Sequence, residues 1–163
     1  MDDTIRNVNQ PRRRNLGSIF PILVLIVLVA VIALSRRVAP VPEVFAQHAS
    51  LDAAFESQAR TGRPVLAVVT SNTCAPCQRL KRGPLTNPEV VSLIRDRTLP
   101  VSIVYQEEPD ALERLGIRVF PTTLLLREGR EVSRIEGYVP ADVLLTWLDR
   151  HLAGVDSHVT TAD

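Results

Sequence analysis

Apolar residues follow two patterns along this chain. From Leu16 to Leu34, nineteen consecutive positions carry no charge, and most are Ile, Leu, Val or Ala. A helix of nineteen residues is about 28 Å long, close to the roughly 30 Å hydrocarbon core of a bilayer. Residues 16–35 are therefore predicted to form a transmembrane anchor contacting lipid, with residues 1–15 as a cytoplasmic tail. Pro21 falls in the first turn of the most apolar stretch, where a missing N–H does little harm.

Past residue 43 the apolar positions come in short bursts divided by Gly, Pro and Asn. Val44, Phe45, Leu51, Ala54 and Phe55 fit one helical face, and Val65–Thr70 is an unbroken run suited to a buried strand. Ala75–Arg82 predicts a helix that Gly83-Pro84 stops. Asn87-Pro88-Glu89 supplies a capping side chain and a proline at the first helical position, opening a helix through Val90–Arg95. A second strand is expected at Leu99–Tyr105 and a short helix at Pro109–Leu115. Thr122–Arg127 and Glu131–Glu136 read as a hairpin around Glu128-Gly129-Arg130, and Pro140–Leu152 as a closing helix. Strand and helix alternating first, with a hairpin and helix last, imply an α/β domain whose sheet carries helices on both faces.

Val38-Ala39-Pro40-Val41-Pro42 reads as an extended tether, because each proline fixes its own φ and turns its predecessor away from helix. The linker is placed at 36–43, the domain at 44–154, and a frayed tail at 155–163. No internal repeat or low-complexity tract is present.

The formal charge of +1 hides an asymmetry: residues 1–37 are net +4 and the remainder is −3. A mildly acidic domain has no footprint for nucleic acid. Arg6, Arg12, Arg13 and Arg14 precede the apolar run and only Arg36 and Arg37 follow it, so the N-terminus is expected to stay in the cytoplasm and the domain to be exported. A cleaved signal peptide ending at Val44-Phe45-Ala46 is the competing reading. Against it, Ala46 lies twelve residues beyond the apolar run and the arginine pair intervenes.

The only two cysteines stand in Thr73-Cys74-Ala75-Pro76-Cys77, directly after the first buried strand. There is no second Cys-x-x-Cys or nearby His pair to complete a zinc site, and His48, His151 and His158 are far from the thiols in sequence. Such a pair can close a small disulfide ring and reopen it. A thiolate attacks a partner's disulfide, a mixed disulfide forms, and the second thiol resolves it. At the start of a helix Cys74 would meet unpaired N–H groups and the macrodipole, which lower a thiol from about 8.5. Cys77, one turn further in, would be the buried resolving thiol. Pro76 costs no backbone bond in the first turn and stiffens the ring.

Residues 44–154 resemble the thioredoxin family. Three landmarks carry the resemblance: Cys74-Ala75-Pro76-Cys77 after the first strand, Gly116-Ile117-Arg118-Val119-Phe120-Pro121-Thr122 before the hairpin, and Gly137 after it. The resemblance implies a thioredoxin-like fold in which Pro121 is a cis-proline beside the cysteines. The groove for a client would be the rim formed by Cys74, Val119, Phe120 and Pro121, where an extended peptide can add as a strand. Thr73, Ala75 and Pro76 would support the thiols. Three positions depart from the family: Thr73 stands where tryptophan is usual, Gln78 where lysine is, and Val68 where a buried acid moves protons for the resolving thiol.

The sequence thus points to a thiol–disulfide oxidoreductase held at the outer face of the cytoplasmic membrane. Its partners would be disulfide-bearing client proteins and an envelope electron donor. The Cys74–Cys77 disulfide would be its only redox group, with no organic cofactor or metal. An Ala-Pro pair between the cysteines, without histidine, resembles members that reduce their clients. A scaffold with a static disulfide and a copper-handling module remain as alternatives.

Overall fold

A computed structural model describes residues 19–35, 38–47 and 50–156. The expected tail at 1–15, the start of the apolar run at Leu16–Ser18, the arginine pair Arg36 and Arg37, His48, and His158 with the rest of 157–163 lie outside the described residues. The chain divides into two units, Met1–Arg37 and Val38–Asp163.

In the first unit, helix α1 (Ile19–Ser35) has 17 residues, and its side chains from Phe20 to Leu34 are exposed. Its length of about 26 Å falls short of the roughly 30 Å hydrocarbon core. Among the described residues no helix is long and apolar enough to cross a membrane, so the span expected at 16–35 is not reproduced as a full crossing.

The second unit opens differently from the expected single helical face. Val44 and Phe45 belong to a short 3-10 turn, Glu43–Phe45, while helix α2 runs over Leu51–Thr61. The break comes from Ser50, extended at φ −154°, whose hydroxyl accepts the Ala53 N–H at 3.2 Å and so fixes the helix start. Gly62 at φ +70° closes α2, a conformation that costs glycine little. Strand β1 (Val65–Thr70), helix α3 (Ala75–Arg82), a 3-10 turn (Pro84–Thr86), helix α4 (Pro88–Arg97) and strand β2 (Leu99–Val104) follow. Asn87 caps α4 by accepting from the Glu89 and Val90 amides at 3.0 and 3.2 Å. Helix α5 (Pro109–Arg114), the hairpin of β3 (Thr122–Arg127) and β4 (Arg130–Glu136), and helix α6 (Ala141–Asp156) complete the unit.

The hairpin loop is one residue shorter than its sequence suggests. Glu128 and Gly129 both have positive φ, 52° and 72°, as a two-residue turn with the native strand twist requires, and Arg130 already pairs with Arg127. Helix α6 runs past Gly154 to Asp156, since one glycine in a helix costs only about 1 kcal/mol.

The sheet order is β2-β1-β3-β4, with β1 and β2 parallel and the other pairs antiparallel. Alternation along β1 sends Leu66 and Val68 to one face, packed with Leu80, Ile94, Leu144 and Leu148, and Val65, Ala67 and Val69 to the other, packed with Leu51 and Ala54. Both faces are thus covered by helices. Each fully buried leucine or valine contributes about 1.5–3 kcal/mol.

Candidate active site

Parallel pairing brings the C-terminal ends of β1 and β2 to the same edge of the sheet, and antiparallel β3 begins there. Thr70 sits opposite Val104, Val69 opposite Thr122, and Thr122 opposite Glu136. Four connections therefore gather on one edge: residues 71–74, residues 105–108, the approach through Val119–Pro121, and Gly137. They are cross-tied. The Tyr105 N–H donates to the Thr70 carbonyl at 2.9 Å, and the Gly137 N–H to the Pro121 carbonyl at 2.7 Å. Gln106 accepts the Asn72 N–H at 3.2 Å and donates to the Ser71 hydroxyl at 2.9 Å.

Cys74 is the N-cap of α3, at φ −87°, ψ 109°, and its sulfur accepts the Cys77 N–H at 3.1 Å. The structure holds it in a disulfide with Cys77 across a Cα–Cα distance of 5.2 Å. A cap position is where the helix leaves its amides unpaired, so the sulfur occupies the place where an anion is most favoured. Cys74 is half-buried, whereas Cys77 is 0% exposed. Ala75 is exposed and Pro76 half-buried in the first turn, and Thr73 is exposed beside the Ser71 hydroxyl at 3.3 Å.

The Phe120–Pro121 peptide bond is cis. Pro121 is buried and Val119 exposed, with the Thr122 hydroxyl donating to the Val119 carbonyl at 2.7 Å. Phe120 combines two environments, rim and core. Half-buried, it packs on the cluster under β2 while its ring stands 5.8 Å from that of Tyr105. The structure thus brings Cys74, Cys77, Phe120 and Pro121 to one edge of one sheet. His151 lies elsewhere, its Nδ1–H donating to the Trp147 carbonyl at 2.8 Å. Among the described residues no three His, Cys, Asp or Glu side chains gather into a group that could hold a metal ion.

Several residues at this edge were not among the site residues expected from the sequence. Tyr105 is one half of the aromatic pair, and Arg79 lies over the Tyr138 ring at 5.0 Å. Gln78 is 8% exposed and joins two segments: its Nε2 donates to the Asn72 carbonyl at 3.3 Å, and its Oε1 accepts the N–H of Ala39. Ala39, inside the expected tether, is itself 4% exposed. Val68 is buried and apolar where the resemblance placed an acid. Lys81, one turn past Cys77, is 3% exposed; burial holds its ammonium below the ordinary lysine value, with Glu107 pulling the other way. The one signal that could have found it is its spacing of four from Cys77, which puts both on one helix face.

Residues 51–152 match the family described as Thioredoxin-like domain. The chain belongs to the thioredoxin-like family. Thioredoxin 1 of Synechococcus elongatus is 30% identical over 102 residues, covering 62% of this chain and 92% of that protein. A solution structure of a thioredoxin from Thermus thermophilus superposes with a TM-score of 0.56 at 25% identity, over 61% of this chain and 82% of that one. A structure titled DsbH Oxidoreductase aligns over 92% of this chain and 95% of its own, TM-score 0.60, at 13% identity, a likeness of fold alone. With this family and a Cys-x-x-Cys pair that forms a disulfide, the thioredoxin-like protein is a thiol–disulfide oxidoreductase.

Proposed function

We propose that this thioredoxin-like protein is tethered to the cytoplasmic membrane by its N-terminal apolar segment and reduces client disulfides on the outer side, with Cys74 as nucleophile and Cys77 as resolving thiol. The observation that carries the thiol roles is the asymmetry of the pair: Cys74 is accessible at a helix cap with its sulfur on a backbone N–H, while Cys77 is sealed. In the reduced protein the Cys74 thiolate attacks a client sulfur, the client S–S bond breaks, and one client thiolate leaves. Cys77 then loses its proton and attacks the Cys74 sulfur, which expels the second client thiolate and leaves the Cys74–Cys77 disulfide. Two electrons and two protons from a dithiol donor reset the pair.

Val119, Phe120 and Pro121 would receive the client as an added strand at the sheet edge that also carries the cysteines. The tether rests on the nineteen uncharged residues Leu16–Leu34 and the arginines before them, and the reducing direction on the Ala-Pro pair between the cysteines.

Insulin reduction by the full chain with a dithiol donor tests the activity, with Cys74→Ala as the control that should fall to background. Cys77→Ser should accumulate mixed disulfides with clients. Turnover equal to that of Cys74→Ala, together with an empty trap, would refute the reading. Carbonate extraction of membranes tests the tether, since an anchored chain stays in the pellet.

A further inference from the structure

The chain contains 18 arginines and one lysine, and that lysine, Lys81, is buried one helical turn past Cys77 on α3. Arginine keeps its charge under any burial, whereas lysine changes protonation readily once desolvated. The single place where the chain uses an ammonium in place of a guanidinium is thus one where a proton can be exchanged.

We propose that Lys81 is the proton partner of Cys77, doing from α3 what a buried acid at the Val68 position would do from β1. Three observations support it. Cys77 and Lys81 are four apart on α3, and both are sealed, at 0% and 3% exposure. Side chains on a helix lean toward its N-terminus, so the Lys81 stem runs back over the turn that holds Cys77. The charge that its ammonium feels most is that of Glu107, in the connection after β2 at the same edge as the cysteines.

A hydroxyl accompanies the pair. Thr70 follows Leu66 and Val68 on the face of β1 that packs with Leu80 of α3; it is 0% exposed, and its Oγ1 has no hydrogen-bond partner. A buried hydroxyl left unpaired is costly, and an opened disulfide would give it a thiol or thiolate to bond.

In the resolving step the Cys77 S–H proton passes to the neutral Lys81 amine. The sulfur's electron pair forms the bond to Cys74, and the Cys74–client bond breaks with its pair leaving on the client thiolate. When a dithiol donor reopens the ring, Cys77 leaves as thiolate and recovers the proton from the Lys81 ammonium. Among the described residues the ionisable groups around this pair are few: the Val38–Pro42 segment that bonds Gln78 contributes none, and Tyr138 lies against Arg79. β1 and the Pro84–Thr86 turn contribute none, the 105–108 connection contributes Tyr105, Glu107 and Glu108, and on α3 Arg79 and Arg82 are exposed. Burial holds Lys81 below its ordinary value, as a base working nearer neutrality requires.

The inference rests on the Cys74–Cys77 couple proposed above, but its readout is titration and not client turnover, so either can fail alone. Because there is one lysine, lysine labelled with 13C at Cε reports a single site in the unaltered chain. Its pH titration is followed in the oxidised and the reduced protein. The expected midpoint is higher in the reduced form, where a thiolate stands beside the amine, and that difference vanishes in reduced Cys77→Ala. In a Cys74→Ser background, Lys81→Met should raise the Cys77 pKa by about one unit, a tenfold loss of thiolate at fixed pH. Identical lysine titrations in the oxidised and reduced protein would overturn the proposal, whether or not the Lys81→Met variant folds.

Discussion

Gln78 stands where the thioredoxin resemblance leads one to expect lysine, and both ends of its carboxamide are in use. Its Oε1 receives the Ala39 N–H while its Nε2 holds the Asn72 carbonyl. Lysine has no acceptor and could not hold Ala39. Gln78→Ala should leave a buried N–H unpaired and cost about 1–3 kcal/mol in urea unfolding, with faster amide exchange at Ala39. Unchanged exchange there would show that the clamp does not hold the segment. Thr70→Val is the opposite case: it replaces a buried, unpartnered hydroxyl with a side chain of the same shape. The oxidised protein should gain up to about 1 kcal/mol in the same assay. If the hydroxyl serves an opened Cys77, that gain shrinks in the reduced protein.

At the scale of elements, the hairpin is stapled to the approach of the cis-proline by Arg134 on β4. Its guanidinium donates to the Leu115 and Gly116 carbonyls at 3.1 and 3.4 Å, and to the Glu131 carboxylate, through Nε at 2.8 Å and through a second, short contact from Nη2. Residues 115–121 lead into the rim proposed to receive the client, so Arg134→Gln should raise the KM for a protein client several-fold and leave kcat nearly unchanged. Arg134 also holds the Glu131 carboxyl below its ordinary value of 4.5. The folded-state value is thus the depressed one: the contribution is full above 4.5 and is lost as pH falls through the lowered value. Melting temperatures followed from pH 6 to 3 should show a smaller acid-side fall in Arg134→Gln than in the parent chain. Most elements were legible because turn residues bracket each apolar run: Asn87-Pro88 opens α4 and Gly83 closes α3 where expected. The cysteines were legible because their spacing is chemical as well as structural. What escaped depends on contacts distant in sequence, which no local pattern encodes. Gln78 reaches Ala39 across 39 positions, Arg134 reaches Leu115 across 19, and Lys81 reads locally as one more cation on a polar helix until burial is seen.

For the whole molecule, the direction of electron flow is a question of which redox form folds better. Closing a ring over residues separated by 3 removes unfolded-chain entropy, worth about 2 kcal/mol for a loop this short. Oxidants of this chemistry reverse that order by stabilising their reduced form, above all through a strongly favoured thiolate. Here the thiolate-stabilising features are modest: a helix cap at Cys74, no histidine between the cysteines, and at Cys77 an interior that disfavours charge unless a base shares its proton. The oxidised protein should therefore melt above the reduced one, by about 4–10 °C for a difference near 2 kcal/mol. Calorimetry with and without excess dithiol measures it directly. A reduced form that melts higher would make the protein an oxidant of its clients and reverse the proposed electron flow, leaving the fold and the chemistry of the cysteine pair as described.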